Sequence, residues 1–146
     1  MRTYYPIANL YTEAFKGYKR LIDTDFIGYI GEIVRNNNTE PYRAWLERLL
    51  KEYGNVWGYI LNYDDISDRL EQVCALVSDI RANGYSETKR EPLYIVEGKI
   101  YGGITCYKQR DMILIDGHHA VSILYHLGHE SVPIIVTKYE NTALPS

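Results

Sequence analysis

The chain has 146 residues, 46% of them hydrophobic and 24% charged, with a formal net charge of −3. That is about one domain's worth of sequence with enough apolar content for a single core, which excludes a disordered or fibrous chain. The acidic balance argues against a strong non-specific grip on duplex DNA, so any nucleic-acid contact must be local.

From Asn9 to about Asn36, the residues Leu10, Phe15, Tyr18, Leu21, Ile22, Phe26, Tyr29, Ile30 and Ile33 recur at spacings of three and four, predicting one or two helices. Gly17, Gly28 and Gly31 weaken that reading, since each costs about 1 kcal/mol against alanine inside a helix. Next, TEPYRAWLERLLKEYG offers Thr39 as N-cap, Pro41 in the first turn and a stripe of Tyr42, Trp45, Leu46, Leu49, Leu50 and Tyr53 before Gly54. This is an amphipathic helix. VWGYILNY (56–63) reads equally as a short strand or a buried helical turn, because periodicity does not arbitrate over so few residues. DDISDRLEQVCALVSDIRANG then starts at an Asp/Ser cap, places Ile66, Leu70, Val73, Cys74, Val77 and Ile80 on one face, and stops at Gly84.

After Gly84 the period becomes strand-like. PLYIVEG (92–98), KIYGGITCY (99–107) and DMILID (111–116) are short, β-branched or aromatic, and bounded by turn residues, so a small sheet is expected to begin here. HAVSILYHLG follows as a short helix with Val121, Leu124, Tyr125 and Leu127 on its apolar face and Gly128 as its stop, and SVPIIVTKY is the last strand. The pattern is that of one α+β domain over residues 1–146: a helical N-terminal layer (1–69) and a core (70–138) with a small mixed sheet and flanking helices.

Composition adds three expectations. Fifteen tyrosines supply flat amphipathic surface suited to a core rim, a partner or homo-oligomer interface, or base stacking, and composition does not choose among these. Cys74 and Cys106 lack the CxxC spacing of a zinc or disulfide framework, which fits a reducing cytoplasm. No basic segment leads into an apolar one and no run reaches a membrane span, so neither export nor insertion is indicated.

All four histidines lie in DGHHAVSILYHLGHESVPIIV, Asp116 to Val136. Here MILID ends in an acid, turns at Gly117 and enters a helix at His118 and His119. A helix N-terminus leaves backbone N–H groups unpaired and carries partial positive charge, so it holds an anion such as phosphate without a basic side chain. Gly117 lets the backbone approach closely. Asp116 is a candidate metal ligand or acceptor of a hydroxyl proton, while His118 and His119 are candidate phosphate donors and acid–base groups. The plainer reading makes Asp116 an N-cap and the histidines solvated first-turn residues. A third reading, metal binding, rests on His119, His126 and His129 at spacings of seven and three, though His126 and His129 suit the helix C-terminus as imidazolium.

The order SDIRANGY, PLYIV, MILIDGHHAVSILYHLGHESVPIIV resembles the ParB/sulfiredoxin-like superfamily, which includes ParB-like nuclease domains. Ile80, Gly84, Pro92, Val96, Asp116, Gly117, His118, His119, Leu127, Gly128, Val132 and Pro133 match its pattern in order, over about residues 70–138. The resemblance implies a nucleotide-phosphate pocket at the DGHH turn. Members of that superfamily bind and hydrolyse CTP, use ATP to phosphorylate a sulfinic acid, phosphorylate free serine, or act as nucleases, and DGHH is closer to the serine-kinase-like and phage or plasmid ParB-like forms. It further implies phosphoryl transfer or phosphodiester cleavage, with a nucleoside triphosphate or diphosphate and Mg²⁺ as cofactors and with DNA or a protein as candidate partners.

On that basis Asp116, His118 and His119 are the expected catalytic residues, Asp116 the metal ligand, and Gly117, His118 and His119 the phosphate cradle. An acid on an early segment serves related kinases as base, and Glu13, Glu32 and Glu40 are the candidates here. One position departs from the pattern: Ala120 stands where the family has an arginine, removing a planar cation that would grip phosphate bidentately. Lys108 and Arg110 are the candidate replacements. The alternative from another class is a catalytically silent binding or regulatory module whose Tyr-rich helical half meets a protein or DNA.

Overall fold

The computed structural model describes residues 3–15, 17–85, 94–97 and 112–138. Strand β1 (Thr3–Pro6) leads through a tight 3-10 turn into β2 (Leu10–Thr12) and β3 (Lys19–Arg20). Three helices follow: α1 (Asp25–Asn36), α2 (Glu40–Tyr53) and α3 (Tyr63–Asn83). Strands β4 (Tyr94–Glu97) and β5 (Met112–Leu114), helix α4 (His118–His126) and strand β6 (Ser131–Lys138) complete the order. The architecture is α+β.

The expectation of helix from Asn9 onward is corrected in its first half. Leu10–Thr12 and Lys19–Arg20 are strands, and helix begins only at Asp25, capped by Thr24 whose hydroxyl accepts from the amide of Ile27. Nor does the sheet wait for residue 84. Among the described residues it has six strands in the order β1-β6-β4-β5-β2-β3, with N-terminal strands at both ends of that order. β1 pairs antiparallel with β6, with Tyr5 opposite Val132, and β2 lies parallel to β5, with Leu10 opposite Met112 and Tyr11 opposite Ile113. These pairings join the two ends of the chain into one sheet, and α3 runs unbroken past residue 69.

The later helices follow their apolar periods. On α3, Ile66, Leu70, Val73, Val77 and Ile80 are buried, as the spacing requires of a helix laid on a core. Its cap, however, is Asn62, whose side chain accepts from the amide of Asp65, and not an aspartate or serine. On α2 the buried stripe is Tyr42, Leu46 and Leu50, with Tyr53 56% exposed; Thr39 stands at the N-cap without a side-chain bond. α4 buries Val121 and Leu124 and packs Leu127 partly on the core, as expected, but Tyr125 of the expected face is exposed while Ala120, Ser122 and Ile123 are buried. Val56–Tyr63 is neither strand nor helix in its first part: Val56 bridges Ile60 across a tight turn whose central residues Trp57 and Gly58 both have positive φ.

One hydrophobic cluster runs from Ile7 and Leu10 through Phe26, Ile30, Tyr42 and Val73 to Val121, Leu124 and Val132. It welds the helical layer to the sheet. No helix among the described residues is long and apolar enough to cross a membrane. The expected strand at 99–107, with Cys106, lies outside the described residues.

Candidate functional site

Parallel pairing decides where the site forms. Because β2 and β5 run the same way in register, both leave the sheet at the same end. That brings the segment after Thr12 alongside Asp116–His119, in the region beyond strand C-termini where open sheets offer a crevice. A cleft of about 970 Å³ opens there, walled by Phe15, by Trp57 and Tyr59 of the tight turn, by Arg69, Gln72 and Asp79 of α3, and by the run from Ile115 to Ala120.

Gly117 is the N-cap of α4, in a left-handed conformation (φ 87°, ψ 21°) that suits glycine, and no side chain caps the helix. Asp116 is therefore not the cap; its Oδ1 accepts from the amide of Gly117 at 2.8 Å and the residue is exposed. A glycine N-cap brings no acceptor of its own to the first-turn amides of His118, His119 and Ala120, which have no intrahelical partner. These residues border the open cleft.

The two histidines are partly buried rather than freely solvated. His118 Nε2 lies 2.8 Å from the hydroxyl of buried Thr12, which itself accepts from the amide of Ala14, and Phe15 meets the imidazole edge-on. His119 Nε2 lies 2.7 Å from the phenol of Tyr42, with Phe26 and Trp57 set nearly perpendicular to its ring. Burial disfavours the charged form of each. It pushes His118 down to about 4, against the opposing pull of the Asp116 carboxylate. It pushes His119 down to about 3, with Arg69 and His118 acting in the same direction. Both imidazoles are neutral at pH 7. Burial also raises the Tyr42 phenol, which stays protonated and available as a hydrogen-bond partner.

The expected arginine is missing from the turn, but the fold supplies one. Arg69 extends from α3 into the same cleft, its guanidinium 4.9 Å from the ring centroid of Tyr59 and 5.9 Å from that of Trp57, and it donates to the Tyr59 hydroxyl. Its Nε is buried and has no hydrogen-bond partner among the described residues. A buried Nε is closed to a ligand, so it is the rest of the guanidinium, on the cleft wall, that would meet an anion. Lys108 and Arg110, the expected replacements, lie outside the described residues. No local feature of SDRLE distinguishes Arg69 from a solvated helix cation; only the packing of α3 against the turn reveals it.

The remaining candidates fall elsewhere. His126 donates from Nε2 to the carbonyl of Ile27 at 2.6 Å and accepts at Nδ1 from Arg35 at 2.8 Å. A carbonyl only accepts and a guanidinium only donates, so this imidazole is neutral. Burial foremost, with Arg35 opposing the Ile27 bond, lowers its pKa, correcting the expectation of an imidazolium at the helix end. Among the described residues no three His, Cys, Asp or Glu side chains are grouped to hold a metal ion, so His119, His126 and His129 form no such set. Neither Glu13, Glu32 nor Glu40 lines the cleft; Glu32 accepts from Asn36, and Glu40 lies 3.8 Å from Arg43.

No family model matches the chain, and no curated protein or solved structure matches it.

Proposed function

We propose that the chain is a ParB/sulfiredoxin-like protein that binds the phosphate of a nucleotide, or of a nucleic-acid end, at the N-terminus of α4. The observation that carries this reading is the convergence of the Arg69 side chain on the same cleft as the uncapped first turn. A fixed dipole and a planar cation facing one hollow are complementary to an oxyanion. The exposed rings of Trp57 and Tyr59 beside the guanidinium add a surface suited to a nucleoside.

Binding without histidine acid–base chemistry is favoured by where the imidazoles point. Both are neutral and both spend Nε2 on internal hydroxyls, so they shape the turn. Any phosphoryl transfer or phosphodiester cleavage would then rest on Asp116. Mg²⁺ would arrive with the nucleotide, held chiefly by phosphates and water with Asp116 as its protein ligand, as such ions commonly are.

Calorimetric titration of ATP, ADP, CTP and GTP with Mg²⁺ tests the reading. At least one is expected to bind, and Arg69→Gln should weaken it by roughly 10- to 100-fold, the worth of a charge-assisted hydrogen bond. Absence of binding by all four, or an Arg69→Gln protein that binds equally well, would overturn it.

A further inference from the structure

A second cavity, of about 670 Å³, lies across Phe15 and Trp57 from the cleft; those two residues line both hollows, which therefore adjoin. Its apolar walls are rings, chiefly Phe26, Tyr29 and Trp45, with centroids 5.5 Å apart for Tyr29 and Trp45 and 6.0 Å for Trp45 and Trp57. Its charged groups are balanced: Lys19 and Arg48 against Asp25 and Glu52. A ring-lined box meant for a quaternary ammonium would gain from excess negative charge, and an anion site from excess positive charge. Equal numbers of each suit a flat, uncharged group bearing both donors and acceptors at its edge.

We infer that the two hollows form one site for a nucleoside phosphate, with the base among the rings beside α2 and the phosphate at the first turn of α4. Arg48 and Glu52 stand one helical turn apart on α2, offering a donor beside an acceptor, the complement of a base edge that carries an acceptor beside an amino group. Trp57, at the junction, has φ 55°, a left-handed conformation uncommon for a bulky side chain. Strain of that kind persists where the surroundings demand the side chain's position, and here it holds the indole between the two hollows.

This assignment rests on the phosphate reading above, and the test separates the two. Inorganic pyrophosphate, ADP, GDP and CDP are titrated against the parent, Glu52→Gln, Arg48→Met and Arg69→Gln. Trp45 lines the aromatic cavity and not the cleft, whereas Trp57 lines both, so fluorescence read in a Trp57→Phe background reports occupancy of the aromatic cavity. At least one nucleoside diphosphate is expected to bind roughly tenfold tighter than pyrophosphate, on the scale of one base–ring stack, and to change the tryptophan emission where pyrophosphate does not. Glu52→Gln or Arg48→Met should erase much of that preference and leave pyrophosphate affinity unaltered, while Arg69→Gln weakens every ligand. Pyrophosphate binding as tightly as every nucleotide, or a preference untouched by both α2 variants, overturns the base assignment and leaves the phosphate site standing. Binding by none of the four ligands overturns both.

Discussion

Replacing Gly31 by alanine should destabilise this protein, although glycine-to-alanine exchange within a helix ordinarily contributes about 1 kcal/mol of stability. An added Cβ would lie 2.6 Å from Cε1 and 2.7 Å from Nε2 of His126, and 2.9 Å from a guanidinium nitrogen of Arg35. The imidazole has little freedom to withdraw, because the Ile27 carbonyl holds one of its nitrogens and Arg35 the other. Overpacking of this kind costs about 1–3 kcal/mol, and a disrupted hydrogen bond adds about 1 kcal/mol. Set against the propensity gain, the net loss is about 1–3 kcal/mol, or a fall in Tm of several degrees for a domain of this size.

Urea denaturation of the parent, Gly31→Ala, His126→Ala and the double variant resolves the cause. With His126 cut back to alanine, most of the obstacle is gone, and the Gly31 exchange should become neutral or stabilising by up to about 1 kcal/mol. A Gly31→Ala protein as stable as the parent would refute the close packing of α1 on α4. Equal destabilisation in both backgrounds would refute His126 as its reason.

The depressed pKa values of His118 and His119 make stability pH-dependent. Below the ordinary value of 6.5 an unfolded chain takes up protons that the folded one refuses until about 4 and about 3, so stability is complete above 6.5 and is lost as pH falls toward those values. Denaturation midpoints measured from neutral to mildly acidic pH should decline, and more shallowly in a His118→Gln, His119→Gln protein; a flat profile in the parent contradicts the burial of these rings. Thr12→Val retains shape but strips the hydroxyl shared by His118 and the amide of Ala14. It should cost about 1–3 kcal/mol in urea melts, with Thr12→Ser largely sparing stability; an unaffected valine variant would remove Thr12 from the support of the turn.

The helices that were legible in the sequence are those whose evidence is local. Three- and four-residue apolar spacing and a closing glycine marked α2 and α3, and DGHH marked the turn into α4. Misread elements are those whose partners are remote. Leu10–Thr12 is too short to declare itself a strand and becomes one by pairing with Met112 and Ile113, while the neighbouring Phe15, Tyr18 and Leu21 mimic helical spacing across a Gly17 with φ 90°. His126 shows the same division: its place near a helix end was readable, but its neutral state follows from Ile27 and Arg35, which no spacing connects to it.

The amino-acid order by itself determined that a strand would deliver an acid and a glycine to a short helix, because turn chemistry and apolar period act between near neighbours. Only the tertiary structure decided what faces that turn. The parallel pairing of β2 with β5 carried Thr12 and Phe15 to it, and α3 brought Arg69 to the cleft in front of it. Contacts between residues so far apart in the chain depend on the packing of whole elements around a shared core, and no local pattern records them.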